Sequence, residues 1–157
     1  MTFDSSKLLD RTGWQIVELL QQNARLSFAE IGRRVGLSLP AVAERVHRLE
    51  EAGILTAYRA LVDPAQVGLP LTVFIRLTTA PEHYSRLIDW MRNHPHVLEA
   101  HHLTGGESFL IKAVVASIPD LEQLIGQFSN YGTTSTSVVL SSPVRGRVFT
   151  QPDIPIS

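Results

Sequence analysis

Through the first third of the chain apolar residues recur at helical spacing, and after about residue 70 they switch to strand-like alternation interrupted by short helical runs. Trp14, Val17 and Leu20, joined by Ile16 and Leu19, predict a first helix from about Asp10 to Gln22. Ser27-Phe28-Ala29-Glu30 has the form of a capping box opening a second helix with Ile31 and Val35 on its buried side, and Gly36 is placed to close it. Ser38 caps a third helix with Pro40 in its first turn. Val42, Val46 and Leu49 face inward at i, i+4 and i+7, and Gly53 is the stop. A short helix, a glycine-containing turn and a longer helix make a candidate helix-turn-helix, with Ile54 to Val62 following as a strand or wing.

Asp63-Pro64 and Gly68-Leu69-Pro70 punctuate the chain. They divide it into a winged helix-turn-helix domain over 1–62, a hinge over 63–70 and a second domain over 71–157. The second domain reads strand (Leu71 to Thr79), helix (Glu82 to Asn93), strand (Val97 to Leu103), strand (Ser108 to Ala116), helix (Pro119 to Asn130, capped by Ser117) and strand (Thr134 to Ser141). That βαββαβ order is the ferredoxin-like arrangement, so the fold class is α+β. Gly105-Gly106 is expected to turn the middle hairpin with positive φ at both residues. Two helices on one face leave the other face of the sheet bare, with Val73, Ile75, Leu110, Val138 and Leu140 expected to line it, and pairing with a second copy would cover them.

Composition narrows the chemistry. The 157 residues include no cysteine, which removes disulfides, thiolate nucleophiles and cysteine metal sites together. No stretch of about 18 uncharged apolar residues is present, and the start lacks a basic-then-apolar leader pattern, so the cytoplasm is the expected location. A formal charge of -1 gives no long-range steering to nucleic acid. The average hides an asymmetry: residues up to Val62 carry 8 basic against 7 acidic side chains and the remainder 6 against 8. Between Arg25 and Arg48 five arginines face only Glu30 and Glu44.

Pointing away from the inward stripe of the third helix are Ser38, Leu39, Pro40, Ala43, Glu44, His47 and Arg48, with Arg45 at one flank. Small residues at the helix start admit close entry to a major groove. Arg48 suits phosphate or guanine, Glu44 a cytosine amine, and His47 a base edge or phosphate. Arg25, Arg33 and Arg34 are placed to add phosphate contacts, with Ser27 at the start of the preceding helix. The histidines at 94, 96, 101 and 102 do not make a metal site: six residues of strand separate His96 from His102 by roughly 20 Å. No Ser-His-Asp order, phosphate loop or carboxylate pair suggests catalysis, and no cofactor is expected.

Leu9-Asp10, Ala24-Arg25-Leu26-Ser27, Val35-Gly36-Leu37-Ser38, Arg45-Val46-His47-Arg48-Leu49-Glu50, Gly53-Ile54, Asp63-Pro64 and Thr104-Gly105 together resemble the leucine-responsive regulator (Lrp/AsnC) family of prokaryotic transcription factors over nearly the whole chain. The resemblance implies a DNA-binding, non-enzymatic regulator of double-stranded DNA with a C-terminal amino-acid-sensing domain that dimerises and assembles further, to tetramers or octamers. A two-fold dimer implies a pseudo-palindromic operator. It also implies an amino-acid effector near Thr104, Gly105, Gly106, Glu107 and Ser108, with Thr134 and Thr136 on the last strand. Backbone N–H groups beside the glycines suit an α-carboxylate and Glu107 an α-ammonium. Ser108 stands where many members carry an acidic residue. Two other readings remain open on the sequence: a sirohaem-type tetrapyrrole decarboxylase of similar two-domain fold, consistent with six histidines, and an effector-independent DNA-organising protein.

Overall fold

The computed structural model describes residues 5–152. Contacts divide the chain into two compact units: the residues up to Ala60 together with the segment from Val144, and Leu61–Pro143.

In the first unit the helices are α1 (Ser5–Leu8), α2 (Arg11–Gln22), α3 (Phe28–Val35) and α4 (Leu39–Glu51). Asp10 starts α2 by accepting from the Gly13 N–H at 2.7 Å. A Cβ on Gly13 would lie 1.9 Å from the Leu8 carbonyl oxygen, so the corner between α1 and α2 admits only glycine. Both halves of the capping box at Ser27 and Glu30 are formed, Gly36 ends α3 at φ 73°, and Ser38 caps α4. Ile16, Val17, Leu20, Ile31, Val42, Val46 and Leu49 close the core. Three helix starts marked by Asp, Ser and Ser thus appear where their side chains can take up orphan N–H groups.

Two features of this unit depart from expectation. Residues 54–62, expected as a strand or wing, form no strand: the stretch pairs with none of the four strands, Tyr58 is exposed, and Leu61, the first residue of the second unit, is 95% exposed. Extended backbone becomes a strand only when a neighbour takes its N–H and C=O groups; the stretch is tied to α4 by a side chain, the Tyr58 hydroxyl donating to Glu50 at 2.7 Å. Burial, then the Glu50 carboxylate, pushes that phenol up to about 12. The sequence also assigned all of 71–157 to the second domain, whereas 144–152 groups with α2. The Gln21 amide donates to the Phe149 carbonyl at 2.9 Å and accepts from the Phe149 N–H at 2.8 Å, and the Gln151 N–H reaches Glu18 at 3.3 Å.

The second unit comprises β1 (Leu71–Thr79), α5 (Tyr84–Asn93), β2 (Val97–His102), β3 (Phe109–Val115), α6 (Ile118–Ser129) and β4 (Gly132–Val138). All pairings are antiparallel in the order β2-β3-β1-β4, the expected ferredoxin-like sheet. Leu87 and Met91 of α5 and Leu121, Leu124 and Phe128 of α6 pack on Val73, Ile75, Leu77, Phe109, Ile111, Ala113 and Val115.

Val73 and Ile75 therefore lie beneath the helices, not on the bare face, and Val138, in register with Val73, shares their side. Leu140 lies beyond β4, while Leu110 does stand on the far face, opposite Arg76. Strand parity separates two residue sets but does not say which one the helices cover. Phe74 and Leu110 fall on one side and Val73, Ile75 and Leu77 on the other, so the expected set mixed residues of both faces. The far face is mixed, with Lys112 bonded to Glu99 at 2.7 Å among its apolar residues.

Candidate nucleic-acid interface

The turn between α3 and α4 depends on close main-chain approach. The Leu37 N–H donates to the Gly32 carbonyl at 3.0 Å, and a Cβ on Gly32 would meet the Leu37 oxygen at 2.5 Å. The buried stripe of α4 then turns Pro40, Glu44, His47 and Arg48 to solvent, with Ala43 half-buried among them. Leu39, at the first position of α4, is 53% exposed, a large apolar side chain that the unit's own core does not use.

The charged residues of this face are paired. Arg48 Nε donates to Glu44 at 2.8 Å and His47 Nε2 lies 3.1 Å from Glu51, each one helical turn away. An exposed Arg–Glu pair one turn apart, such as Arg48–Glu44, is worth about 0.3–0.5 kcal/mol, so DNA phosphates compete with it readily. Arg25, Arg33 and Arg34 are exposed on the loop before α3 and on its last turn. Ser27 is committed to its cap: its hydroxyl lies 2.6 Å from Glu30, whose carboxyl is held below its usual range by hydrogen bonds from Ser27 and by Arg33 and Arg34. Ser38 Oγ accepts weakly from the Ala41 N–H at 3.4 Å.

Arg45 behaves differently from its neighbours. Its two terminal nitrogens reach both oxygens of Asp10, at 2.9 and 3.0 Å. The Arg45 fork, then the Gly13 N–H, hold the Asp10 carboxyl below its usual value against the opposing effect of burial. The sequence marked Arg45 as a flank residue and gave Asp10 no role beyond resemblance. Asp10 followed three residues later by a glycine carries only a helix-start signal; pairing between residues 35 positions apart has no local signature.

In the second unit the loop from Leu103 to Ser108 is longer than the expected two-residue turn, and only Gly105 has positive φ, at 111°. Thr104, Gly105, Gly106 and Glu107 are exposed. Ser108 is buried: its hydroxyl donates to the Thr79 carbonyl at 3.0 Å and accepts from the Thr79 N–H at 3.1 Å. Thr78 Oγ1 donates to the Gly106 carbonyl at 3.3 Å and Arg76 lies 3.7 Å from Glu107, so the end of β1 holds the loop on both sides. Thr134 and Thr136 are half-buried on β4, in register with Leu77 and Ile75. A groove of about 400 Å³ between α5 and β2, with Ile88, Met91 and Phe109 against Leu98 and His102, was not singled out by sequence. Its signal was the run Leu98-Glu99-Ala100, an edge strand that leaves apolar side chains uncovered.

Among the described residues no group of three or more His, Asp or Glu is placed to hold a metal ion. The His94 ring lies tilted against Trp90 at 4.5 Å between centroids and contacts Gln127 at 3.1 Å, and burial, then His96, pushes its pKa down. Nor is any described helix long and apolar enough to cross a membrane.

Comparison with known proteins bears directly on both units. Residues 9–50 match the family model of the AsnC-type helix-turn-helix domain, and residues 72–149 that of the Lrp/AsnC ligand binding domain. The chain is 38% identical to the uncharacterized HTH-type transcriptional regulator YezC of Bacillus subtilis over 85% of its own length and 95% of that protein's. It is 32% identical to the transcriptional regulator LrpC of the same organism, over 85% of this chain and 92% of LrpC. The solved structure of LrpC superposes with a TM-score of 0.82, covering 85% of this chain and 96% of that one. A transcriptional regulator of Neisseria meningitidis, solved in complex with L-methionine, superposes with a TM-score of 0.83 at 29% identity, over 92% of this chain and 96% of that one.

Proposed function

From the premise that this chain belongs to the Lrp/AsnC family of HTH-type transcriptional regulators, we propose that it is a sequence-specific repressor or activator, in the cytoplasm, whose assembly or DNA affinity responds to an amino acid. It acts by binding rather than by catalysis. The observation that carries the reading is the intact helix-turn-helix, whose α4 presents Leu39, Pro40, Glu44, His47 and Arg48 on one solvent-facing flank. Leu39 and Pro40 suit apolar contact with thymine methyl groups, Arg48 a guanine or phosphate. Arg25, Arg33 and Arg34 supply sequence-independent affinity.

A homodimer formed through the open face of the sheet would bury Phe74 and Leu110 and carry two copies of α4 to a pseudo-palindromic site, with further assembly to tetramers or octamers. The effector is an amino acid, supported by the ligand-binding family match and by the L-methionine complex of the Neisseria regulator. Its α-groups are assigned to Thr104–Glu107, because an exposed glycine loop and the Glu107 carboxylate answer a zwitterion; the α5/β2 groove, which sets Arg92, Glu99 and His102 beside its apolar residues, is the competing site. Thr134 and Thr136 border that loop's support, and Ser108 acts by shaping it.

Trp90 packs on Phe128 and His94 in the second unit. Tryptophan emission scanned across the twenty amino acids, read beside sedimentation, should therefore change for the effector. Glu107→Gln should abolish the response and Met91→Trp, which fills the groove, should leave it; the reverse pattern moves the effector to the groove. No response to any amino acid, with DNA retardation intact, would leave an effector-independent regulator. Absence of salt-sensitive retardation of any duplex removes the DNA reading altogether.

A further inference from the structure

Along α4 three residues pair with carboxylates, and the pairs differ in kind. Arg48–Glu44 and His47–Glu51 lie within the helix, so they travel with α4 and fix nothing outside it. Arg45 reaches off the helix to Asp10, with one bond to each carboxylate oxygen, at 2.9 and 3.0 Å. Asp10 in turn is tied to the start of α2: it caps that helix through the Gly13 N–H at 2.7 Å, and a Cβ on Gly13 would meet the Leu8 carbonyl.

The inward stripe of Val42, Val46 and Leu49 decides which side of α4 is buried. Aliphatic packing tolerates a small rotation about the helix axis, whereas two parallel bonds between a planar guanidinium and a planar carboxylate do not. Base-edge readout requires side chains held within about 10–20° of their productive orientation.

We propose that Asp10 and Arg45 are positioning residues for DNA recognition: their bidentate pair sets the rotation of α4 against the start of α2, and Arg45 does not itself contact DNA. The inference rests on the DNA-binding reading and removes Arg45 from its contact set. Half-buried, and with both terminal nitrogens engaged by one carboxylate, Arg45 would have to abandon the α2 start to reach a phosphate.

The experiment uses the full chain, a duplex selected from a random library by the wild-type protein, and a scrambled duplex of equal length. Affinity is measured against salt for wild type, Arg45→Gln, Arg45→Lys, Asp10→Asn and the Asp10→Asn/Arg45→Gln double variant. Asparagine caps helices about as well as aspartate, so Asp10→Asn removes the pair and keeps the cap. Each single variant is expected to lose on the order of tenfold for the selected duplex, as one aligned interaction does, with little loss for the scrambled one. The salt slope should be unchanged, and the double variant no worse than either single one.

Loss of about 0.9 in the slope with Arg45→Gln, and its recovery with Arg45→Lys, would place Arg45 on a phosphate and overturn the proposal. Tighter and steeper binding by Asp10→Asn would do the same, as Asp10 would then be holding Arg45 away from DNA. Should every variant fail to show a cooperative thermal transition, the pair maintains the fold rather than aiming the helix, and the proposal falls. A wild-type protein that selects no duplex defeats the DNA-binding reading instead, a separable result.

Discussion

Ser27 and Ser108 are the same residue type in opposite settings. In the DNA-binding unit Ser27 stands at the surface and takes up an orphan N–H at the start of α3, while Glu30 reaches back to its own N–H. In the ligand-binding unit Ser108 is buried and exchanges two hydrogen bonds with the main chain of Thr79, fixing the loop Leu103–Ser108 on the end of β1. The first unit thus displays charged side chains on a regular helix, in pairs that water and phosphate exchange easily. The second forms its candidate site from a glycine loop and the exposed Glu107 carboxylate, with the Ser108 side chain used to shape the backbone. Sequence readout needs the former; a small zwitterion is served by the latter.

Several substitutions sharpen or break this contrast. The largest effect is expected from Phe128→Ala, which empties a fully buried position between α6 and the sheet and should cost about 3–5 kcal/mol. Differential scanning calorimetry should show the loss in the transition of the second unit; an equal shift in both transitions would mean that the units do not melt separately. Ser108→Ala comes next, at about 1–3 kcal/mol, because it leaves the Thr79 carbonyl and N–H without their buried partner. Amide exchange at Thr79 and Gly106 should rise while that of α3 stays unchanged. Ser27→Ala should cost about 1 kcal/mol, confined to the start of α3, and a penalty as large as that of Ser108→Ala would erase the distinction between cap and staple.

The smallest effect is a pH dependence. The Asp10 carboxyl titrates below its ordinary value in the folded chain, so its contribution is present at neutral pH and down to the ordinary carboxylate range, and disappears as pH falls through the depressed value. The difference in melting temperature between wild type and Asp10→Asn should therefore hold from neutrality to about pH 5 and close below about pH 4. A difference that grows on acidification contradicts the assignment.

Legibility in the sequence followed the range of the interactions. The helix starts at Ser27 and Ser38 were readable because a cap and its N–H lie three residues apart, whereas the start near Asp10 was placed by apolar spacing and its cap by the structure alone. Strand order and the boundaries of β1 followed from alternation and punctuation. What failed was non-local. Which face of β1 the helices cover, the engagement of Arg45 by Asp10, the lack of a neighbour for 54–62 and the return of 144–152 to α2 each depend on partners far along the chain. Gly106 misled for another reason: a glycine pair is compatible with a two-residue turn, but Leu103 N–H bonding to the Ser108 carbonyl at 2.9 Å sets a wider loop in which Gly105 alone needs left-handed backbone.

The clasp between Gln21 and Phe149 joins two stretches of the chain into one unit that is discontinuous along the sequence. The polypeptide leaves the first unit after Ala60 and rejoins it at Val144, so the ligand-binding unit is an insertion within the DNA-binding unit rather than an appendage to it. A single recombination crossover at the hinge would exchange one unit complete with a piece of the other. A chimaera that replaces the sensor of this chain needs two junctions, one before Leu61 and one near Pro143, to keep α2 with the segment that groups with it.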